Sequence, residues 1–260
     1  MVLCSVVGGL GLAGCSTAEG EPAARVPGKA SKVVPVERAA PTGDGLVVLE
    51  LFTSQGCSSC PPADRLLSSL ATAGVLGERK VKVVPMSFHV DYWNDLGWSD
   101  PFSNAAWSQR QREYASALGD DGVYTPQLVI GGRAHVVGSD RREVERAVAA
   151  AQPARPLQIA ATWTARSVTV QAPAEATGEL WLALWQDNLL TEVARGENRG
   201  ERLRNQHVVR RLVKLLRGTA TVAIDPSWKA GRALGGLVFE QREGDRAIVA
   251  AGELPPPPAS

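Results

Sequence analysis

The sequence predicts an α/β domain followed by an all-β, sandwich-like domain. Three observations carry this. The chain has 260 residues, enough for two ordinary domains. Residues 46–152 alternate short apolar runs with helical spacing of apolar residues. After Pro153 the texture changes to short alternating strand patterns separated by turns.

In the first domain, residues 46–52 (L-V-V-L-E-L-F) form an apolar run bounded by Gly45 and the turn T-S-Q-G, the pattern of a strand buried on both faces. Residues 61–73 place Leu66, Leu67 and Leu70 at helical spacing, and Gly74 stops the helix. Residues 81–88 read as a second buried strand, followed by a polar, Trp-rich stretch over 89–102 and a helix over 103–118. Residues 127–130 and 134–137 then pair across a Gly131-Gly132 turn, and Asp140 caps a helix over 140–151. The second domain, residues 153–253, carries strand patterns at 157–164, 167–171, 179–186, 207–216, 219–224, 237–242 and 246–251, which suggests a sandwich. Residues 254–260 form a Pro-rich tail.

The N-terminus differs from both. Residues 2–12 are an uncharged apolar and glycine run, too short to span a bilayer but suited to the core of a signal peptide. It ends in L-A-G-C, which resembles a bacterial lipobox and implies lipid attachment at Cys15. An ordinary signal peptide, or an apolar segment that happens to contain Cys15, is the alternative. Residues 1–15 thus read as a lipoprotein-type signal segment. Residues 16–45, rich in Ala, Pro, Gly and charge, read as a flexible tether. The implied location is the periplasmic side of a bacterial cell envelope, with the membrane as a partner through the lipid. A net charge of +1 without a long Lys/Arg run leaves no electrostatic footprint for nucleic acid.

If Cys4 leaves with the signal and Cys15 is acylated, Cys57 and Cys60 are the cysteines that remain. In an oxidising compartment they pair with each other, or transiently with another protein. The pair stands between a buried strand and a helix that Pro61 and Pro62 suit at its first turn. Cys57 is therefore expected at a helix N-terminus, where free N–H groups and the macrodipole favour a thiolate. A lowered thiol pKa makes such a sulfur a nucleophile and a leaving group.

Strand, C-x-x-C, helix, strand, and later a Pro opening the strand before a hairpin and final helix resemble the thioredoxin fold over residues 46–151. More narrowly, E-L-F-T-S-Q-G-C-S-S-C-P-P-A-D with H-V-D-Y-W-N-D-L-G-W and Y-T-P-Q-L-V-I is similar to a bacterial exported family, domain of unknown function 1223. That similarity extends into G-E-N-R-G-E-R-L, which by itself reads as a solvated polar loop. The superfamily resemblance implies that Cys57 attacks or is attacked and that Cys60 resolves the mixed disulfide. It also implies that Pro126, in a cis peptide, faces the cysteines and shapes a substrate groove with Thr125. Gly56 and Ser58-Ser59 stand where thioredoxin has Trp and Gly-Pro, so potential and direction of electron flow stay open. The expected function is thiol-disulfide exchange on protein thiols, with an envelope redox partner and no cofactor beyond the redox-active disulfide. It requires Cys57 to be reachable from solvent.

Further candidates surround the pair. Glu50, inside the first strand, is a candidate buried proton relay to the resolving thiol; the alternative is a carboxylate at a sheet edge or paired with an Arg. His89 follows the second strand and is placed to stabilise a thiolate, or to pin the loop. Tyr124 lines the groove or plugs the core edge. Two other functions compete. One is a copper carrier using Cys57, Cys60 and His135; the other is a binding module with an inert disulfide. Four ligands at zinc-finger spacing are absent, as are the G-x-S-x-G, P-loop and H-E-x-x-H motifs.

Overall fold

The computed structural model describes residues 45–228 and 234–258. The signal segment with Cys15 and all but the last residue of the tether lie outside the described residues. Strand β1 (Val47–Thr53) leads through the cysteine turn into α1 (Pro61–Ala73). Then come β2 (Val75–Leu76), β3 (Val81–His89), α2 (Ala105–Leu118), β4 (Gln127–Ile130), β5 (Ala134–Val137) and α3 (Arg141–Ala150). The order matches the local patterns: Gly74 closes α1 in the left-handed region, and the Asp140 side chain accepts from the Glu143 N–H at the start of α3. The remaining strands are β6 (Arg155–Pro156), β7 (Ala161–Trp163), β8 (Ser167–Gln171), β9 (Glu179–Gln186), β10 (Leu189–Glu192), β11 (Arg202–Asn205), β12 (Val208–Leu215), β13 (Thr219–Ala223), β14 (Leu234–Gln241) and β15 (Ile248–Glu253).

These elements do not make an α/β thioredoxin-like domain followed by a sandwich. The structure corrects that expectation: the described residues are mostly β, built on one mixed ten-stranded sheet ordered β5-β4-β1-β3-β12-β9-β14-β15-β6, with β2 alongside β3, and hold three short α-helices. The seam is the far edge of β3. There β12 pairs in parallel, Val208 opposite Ser87, and the Ser87 N–H donates to the His207 carbonyl at 2.9 Å. A free edge on β3 would leave a row of unpaired backbone groups; β12 pairs with it at Ser87 and β2 at Val81 and Lys82.

Side-chain alternation explains why the join is stable. Along β1, Val47, Leu49 and Leu51 pack with Leu66, Leu67 and Leu70 of α1 and Val144 and Val148 of α3. Val48 and Phe52 enter a different core with Trp107 and Tyr114 of α2, and that core runs on through Ala183, Trp185, Val209, Phe239 and Ile248 of the second half. Each large apolar side chain buried there contributes roughly 1.5–3 kcal/mol, so a boundary at residue 152 would expose a continuous apolar face. The smaller sheet β13-β8-β7 packs Val168, Val170 and Val222 on Leu180, Leu182 and Leu184 of β9, so it is a local layer on the large sheet and not half of a separate sandwich. The hairpin β10-β11 stands apart as its own two-stranded sheet.

Candidate functional site

Cys57 and Cys60 form a disulfide in the turn between β1 and α1. The Cys57 N–H donates to the Ser54 carbonyl at 3.2 Å, and the Cys60 N–H to the Cys57 carbonyl at 3.2 Å. Cys60 is the N-cap of α1 with helical φ and ψ of −79° and −37°. The helix offers Cys57 fewer donors than expected. Pro61 and Pro62 have no N–H, and the Ala63 and Asp64 N–H groups both donate to the Cys60 carbonyl, at 2.9 and 3.1 Å. What remains for a sulfur anion is the helix dipole and the Ser59 hydroxyl, 3.3 Å from the Cys57 sulfur.

The structure brings Thr125 and Pro126 to this turn. Ser59 Oγ donates to the Thr125 carbonyl at 3.5 Å, Trp93 Nε1 donates to Thr125 Oγ1 at 2.9 Å, and the Thr125–Pro126 peptide is cis. One expectation fails: Cys57 is not reachable, since both cysteines are 0% exposed although Ser58 and Ser59 between them are exposed. The second half of the chain also reaches this turn. The loop between β10 and β11 lies on the cysteine turn, where Asn198 Nδ2 donates to the Gln55 and Cys57 carbonyls, both at 2.9 Å. Glu197 Oε2 accepts from the Ser58 N–H at 3.0 Å.

Behind the turn lies a buried polar cluster. Cys60 and Asp64, four residues apart in helical conformation, share one face of α1, and both are buried. Asp64 faces Thr53 at the end of β1 and His89 at the end of β3, which stand opposite each other in the sheet register. His89 Nδ1 is 2.7 Å from Asp100 Oδ2, and the same oxygen accepts from the Gln55 N–H at 2.8 Å, two residues before Cys57. Asp64 Oδ1, Thr53 Oγ1 and His89 Nε2 are buried without a hydrogen-bond partner among the described residues. The Thr53 hydroxyl lies close enough to favour the Asp64 carboxylate, but the pair falls short of hydrogen-bond geometry.

Burial pushes the Asp64 carboxyl from its ordinary 3.8 up to about 6, against the opposing pull of the His89 charge. For His89 burial acts downward, but the Asp100 carboxylate, by charge and hydrogen bond, and the Asp64 charge overcome it and raise the imidazole. Asp100 is correspondingly held below its ordinary value, because His89 and the Gln55 and Phe102 N–H groups outweigh its burial.

The other sequence candidates fall elsewhere. Glu50 is buried on the α2 side of β1, where Arg110 Nε and Nη2 donate to its two oxygens at 2.6 and 3.0 Å and the Tyr114 hydroxyl donates to Oε1. That is the Arg-paired alternative. Tyr124 is half-buried, with its hydroxyl 2.9 Å from His135 Nδ1 and its carbonyl accepting from Gln111 Nε2 at 2.7 Å. His135 Nε2 lies 2.5 Å from Asp120 Oδ2, so both its ring nitrogens face protein groups other than the cysteines. Among the described residues no three His, Cys, Asp or Glu side chains are grouped to hold a metal.

Sequence reasoning missed Asp64, Asp100, Glu197 and Asn198. Asp64 did carry a signal: it falls on the apolar face of α1 one turn after Cys60. Asn198 carried none beyond the family similarity.

A family model described as "Protein of unknown function (DUF1223)" matches residues 48–238. Among solved structures, a protein of Agrobacterium tumefaciens is similar at 31% identity and a TM-score of 0.60, covering 82% of this chain and 96% of that one. HBP35 of Porphyromonas gingivalis shares the fold at 16% identity and a TM-score of 0.53, covering 82% of this chain and 76% of that one. No curated protein matches.

Proposed function

The chain belongs to the DUF1223 family, whose description assigns no activity, and from the site's chemistry we propose that it performs thiol-disulfide exchange on protein thiols through Cys57 and Cys60. One observation carries this: the disulfide caps α1 one helical turn before buried Asp64, whose Oδ1, with Thr53 Oγ1 and His89 Nε2, is unpartnered among the described residues. Each unpaired buried polar group costs about 1–3 kcal/mol of stability, so folding alone gives no reason to keep three of them beside a disulfide. As a staple the bond does little, since closing so short a loop is worth only about 2 kcal/mol in the chain-entropy account.

In the exchange, a partner thiolate attacks Cys57 Sγ. The partner–Cys57 bond forms as the Cys57–Cys60 bond breaks, and its electron pair leaves with Cys60. Asp64, titrating at about 6 and sharing a helix face with Cys60, gives that sulfur a proton. In the return direction it takes the proton back as Cys60 attacks the mixed disulfide. The second partner thiol resolves the complex, so two partner thiols become a disulfide while Cys57 and Cys60 become thiols. This assigns the site to the thioredoxin-superfamily class of chemistry, with Thr125 and Pro126 flanking the groove, Asp64 in the role first considered for Glu50, and His89 and Asp100 setting its charge. The N-terminal pattern supports, as part of this reading, an envelope location with a lipid at Cys15.

The test is equilibration of the folded, oxidised protein in graded glutathione buffers, with free thiols counted and the fold followed by circular dichroism. Reversible conversion to two thiols with the fold intact is expected. A second reading, a disulfide with no redox role, draws on the complete burial of both cysteines; it predicts that no thiols form until the chain unfolds, and that result would overturn the exchange reading.

A further inference from the structure

We propose that the loop between β10 and β11, residues 193–201, is a gate over the disulfide and that Asn198 is its latch. This rests on the exchange reading and supplies the step that complete burial demands: a partner sulfur cannot approach in line until something moves.

The loop is built to move as a unit. Its base is closed by its own backbone, with the Val193 N–H donating to the Glu201 carbonyl at 2.9 Å and the Gly200 N–H to the Val193 carbonyl at 2.8 Å. Its grip on the cysteine turn is polar. Asn198 uses both amide hydrogens on the Gln55 and Cys57 carbonyls, and Glu197 accepts from the Ser58 N–H. The Gln55 amide in turn donates to Thr191 Oγ1 on β10 and Asn205 Oδ1 on β11, both at 3.0 Å. Water can replace each of these bonds when the loop lifts, and the buried apolar side chain within it, Val193, stands at its base. Gly196, with φ of +79°, seats the loop on the Trp-rich segment; a Cβ there would stand 3.0 Å from Trp98 Cβ.

The backbone passes between the large sheet and the hairpin at residues 187–188 and 206–207, and at each crossing stands a non-glycine residue with positive φ, Asn188 at 57° and His207 at 46°. Asn198 is thus a positioning residue: it bonds no sulfur, and it ties the backbone of the cysteine turn to the proposed gate.

The experiment measures reduction of the disulfide in the folded full chain by dithiothreitol, whose two thiols leave as a cyclic disulfide, for the wild type, Asn198→Ala and Glu197→Gln. Rates are read at several low urea concentrations. Losing both latch bonds is expected to speed reduction by roughly tenfold or more. Glu197→Gln, a change at an exposed side chain that cannot prevent folding, should move the rate in the same direction by less. The acceleration should be nearly independent of urea, the mark of local opening, whereas reduction through global unfolding rises steeply with it. A wild type that is reduced while folded, with both variants at its rate, would overturn the gate and leave exchange standing. A disulfide reduced only with the steep urea dependence of unfolding, in all three proteins, would overturn both.

Discussion

Replacing Asp64 by Asn removes one titrating proton from a buried site and leaves its shape nearly unchanged, so the consequence for stability can be worked from the structure. In the folded chain the carboxyl titrates near 6, and on unfolding it returns toward 3.8. An acid whose folded value lies above its unfolded one binds its proton more tightly when folded. Stability is therefore lost as pH rises from about 4 to about 6 and stays level above that. At about 1.4 kcal/mol for each pH unit, the loss is on the order of 3 kcal/mol. The groups facing Asp64 are His89 and Thr53 from the strands, Asp100 from the loop and Arg65 on its own helix; beyond them Arg210 of β12 faces His89. All of these are retained in Asp64→Asn; Thr53, Asp100, Arg65 and Arg210 largely cancel, whereas His89 loses the Asp64 charge that helps raise it, which trims the variant's advantage near neutral pH and makes the roughly 3 kcal/mol an upper limit. Urea unfolding of the oxidised chains from pH 4 to pH 8 should give nearly equal stabilities at pH 4, with Asp64→Asn the more stable by up to about 3 kcal/mol at pH 7. Parallel curves, or an Asp64→Asn variant less stable than wild type at pH 7, would show that the carboxyl is not held at a raised value. It would then have no claim to exchange protons with Cys60.

Two further expectations concern the seam between the halves. Arg110→Met leaves the Glu50 carboxylate buried without its two guanidinium bonds and also breaks the bond to Gln241 on β14; a loss of about 3–5 kcal/mol in urea unfolding is expected, and adding Glu50→Gln should restore much of it. A double variant no more stable than Arg110→Met would mean that the pair's charge is not what matters. In the β4-β5 turn, Gly131 and Gly132 both have positive φ, but a Cβ on Gly131 meets open space while one on Gly132 would lie 2.1 Å from the Arg246 carbonyl. Gly131→Ala should therefore cost only the roughly 1–2 kcal/mol of left-handed backbone, and Gly132→Ala measurably more; equal midpoints would place the second half elsewhere than against this turn.

What the sequence reveals depends on how local the cause is. Strands β1 and β3, helices α1, α2 and α3 and the β4-β5 hairpin were legible because each writes its period into a few consecutive residues, and the two expected caps, Gly74 and Asp140, stand at their helix ends. Strand β9 was legible as a strand, E-L-W-L-A-L-W-Q, but not in its place: its Leu residues face one core and Ala183 and Trp185 another that already holds Phe52 and Phe88. Nothing in its period names that partner. The cysteines and Pro126 were recognisable as motifs. Asp64 was hidden by its ordinariness, since an acid in the first turn of a helix is favourable at the surface; only its lipophilic neighbours distinguish it. Asn198 was hidden altogether, because a polar, Gly-broken loop buries its amide only when the Gln55 and Cys57 carbonyls arrive from far along the chain.

The sheet that defeats the two-domain reading also explains the site. Val208 at the start of β12 pairs with Ser87 on one side and Gln186 at the end of β9 on the other. Ser87 is two residues from His89, and His89 stands level with Thr53, where β1 gives way to the cysteine turn. Joining β12 to the edge of β3 therefore puts the β9-to-β12 crossing at the same end of the sheet as the disulfide, and the chain that leaves between them, β10 and β11, has the cysteine turn within reach. A separate second domain would need a docking interface to bring Asn198 to Cys57; a shared sheet fixes that approach through backbone hydrogen bonds. The second half needs no chemistry of its own to reach the turn, because its register brings Asn198 to the Gln55 and Cys57 carbonyls.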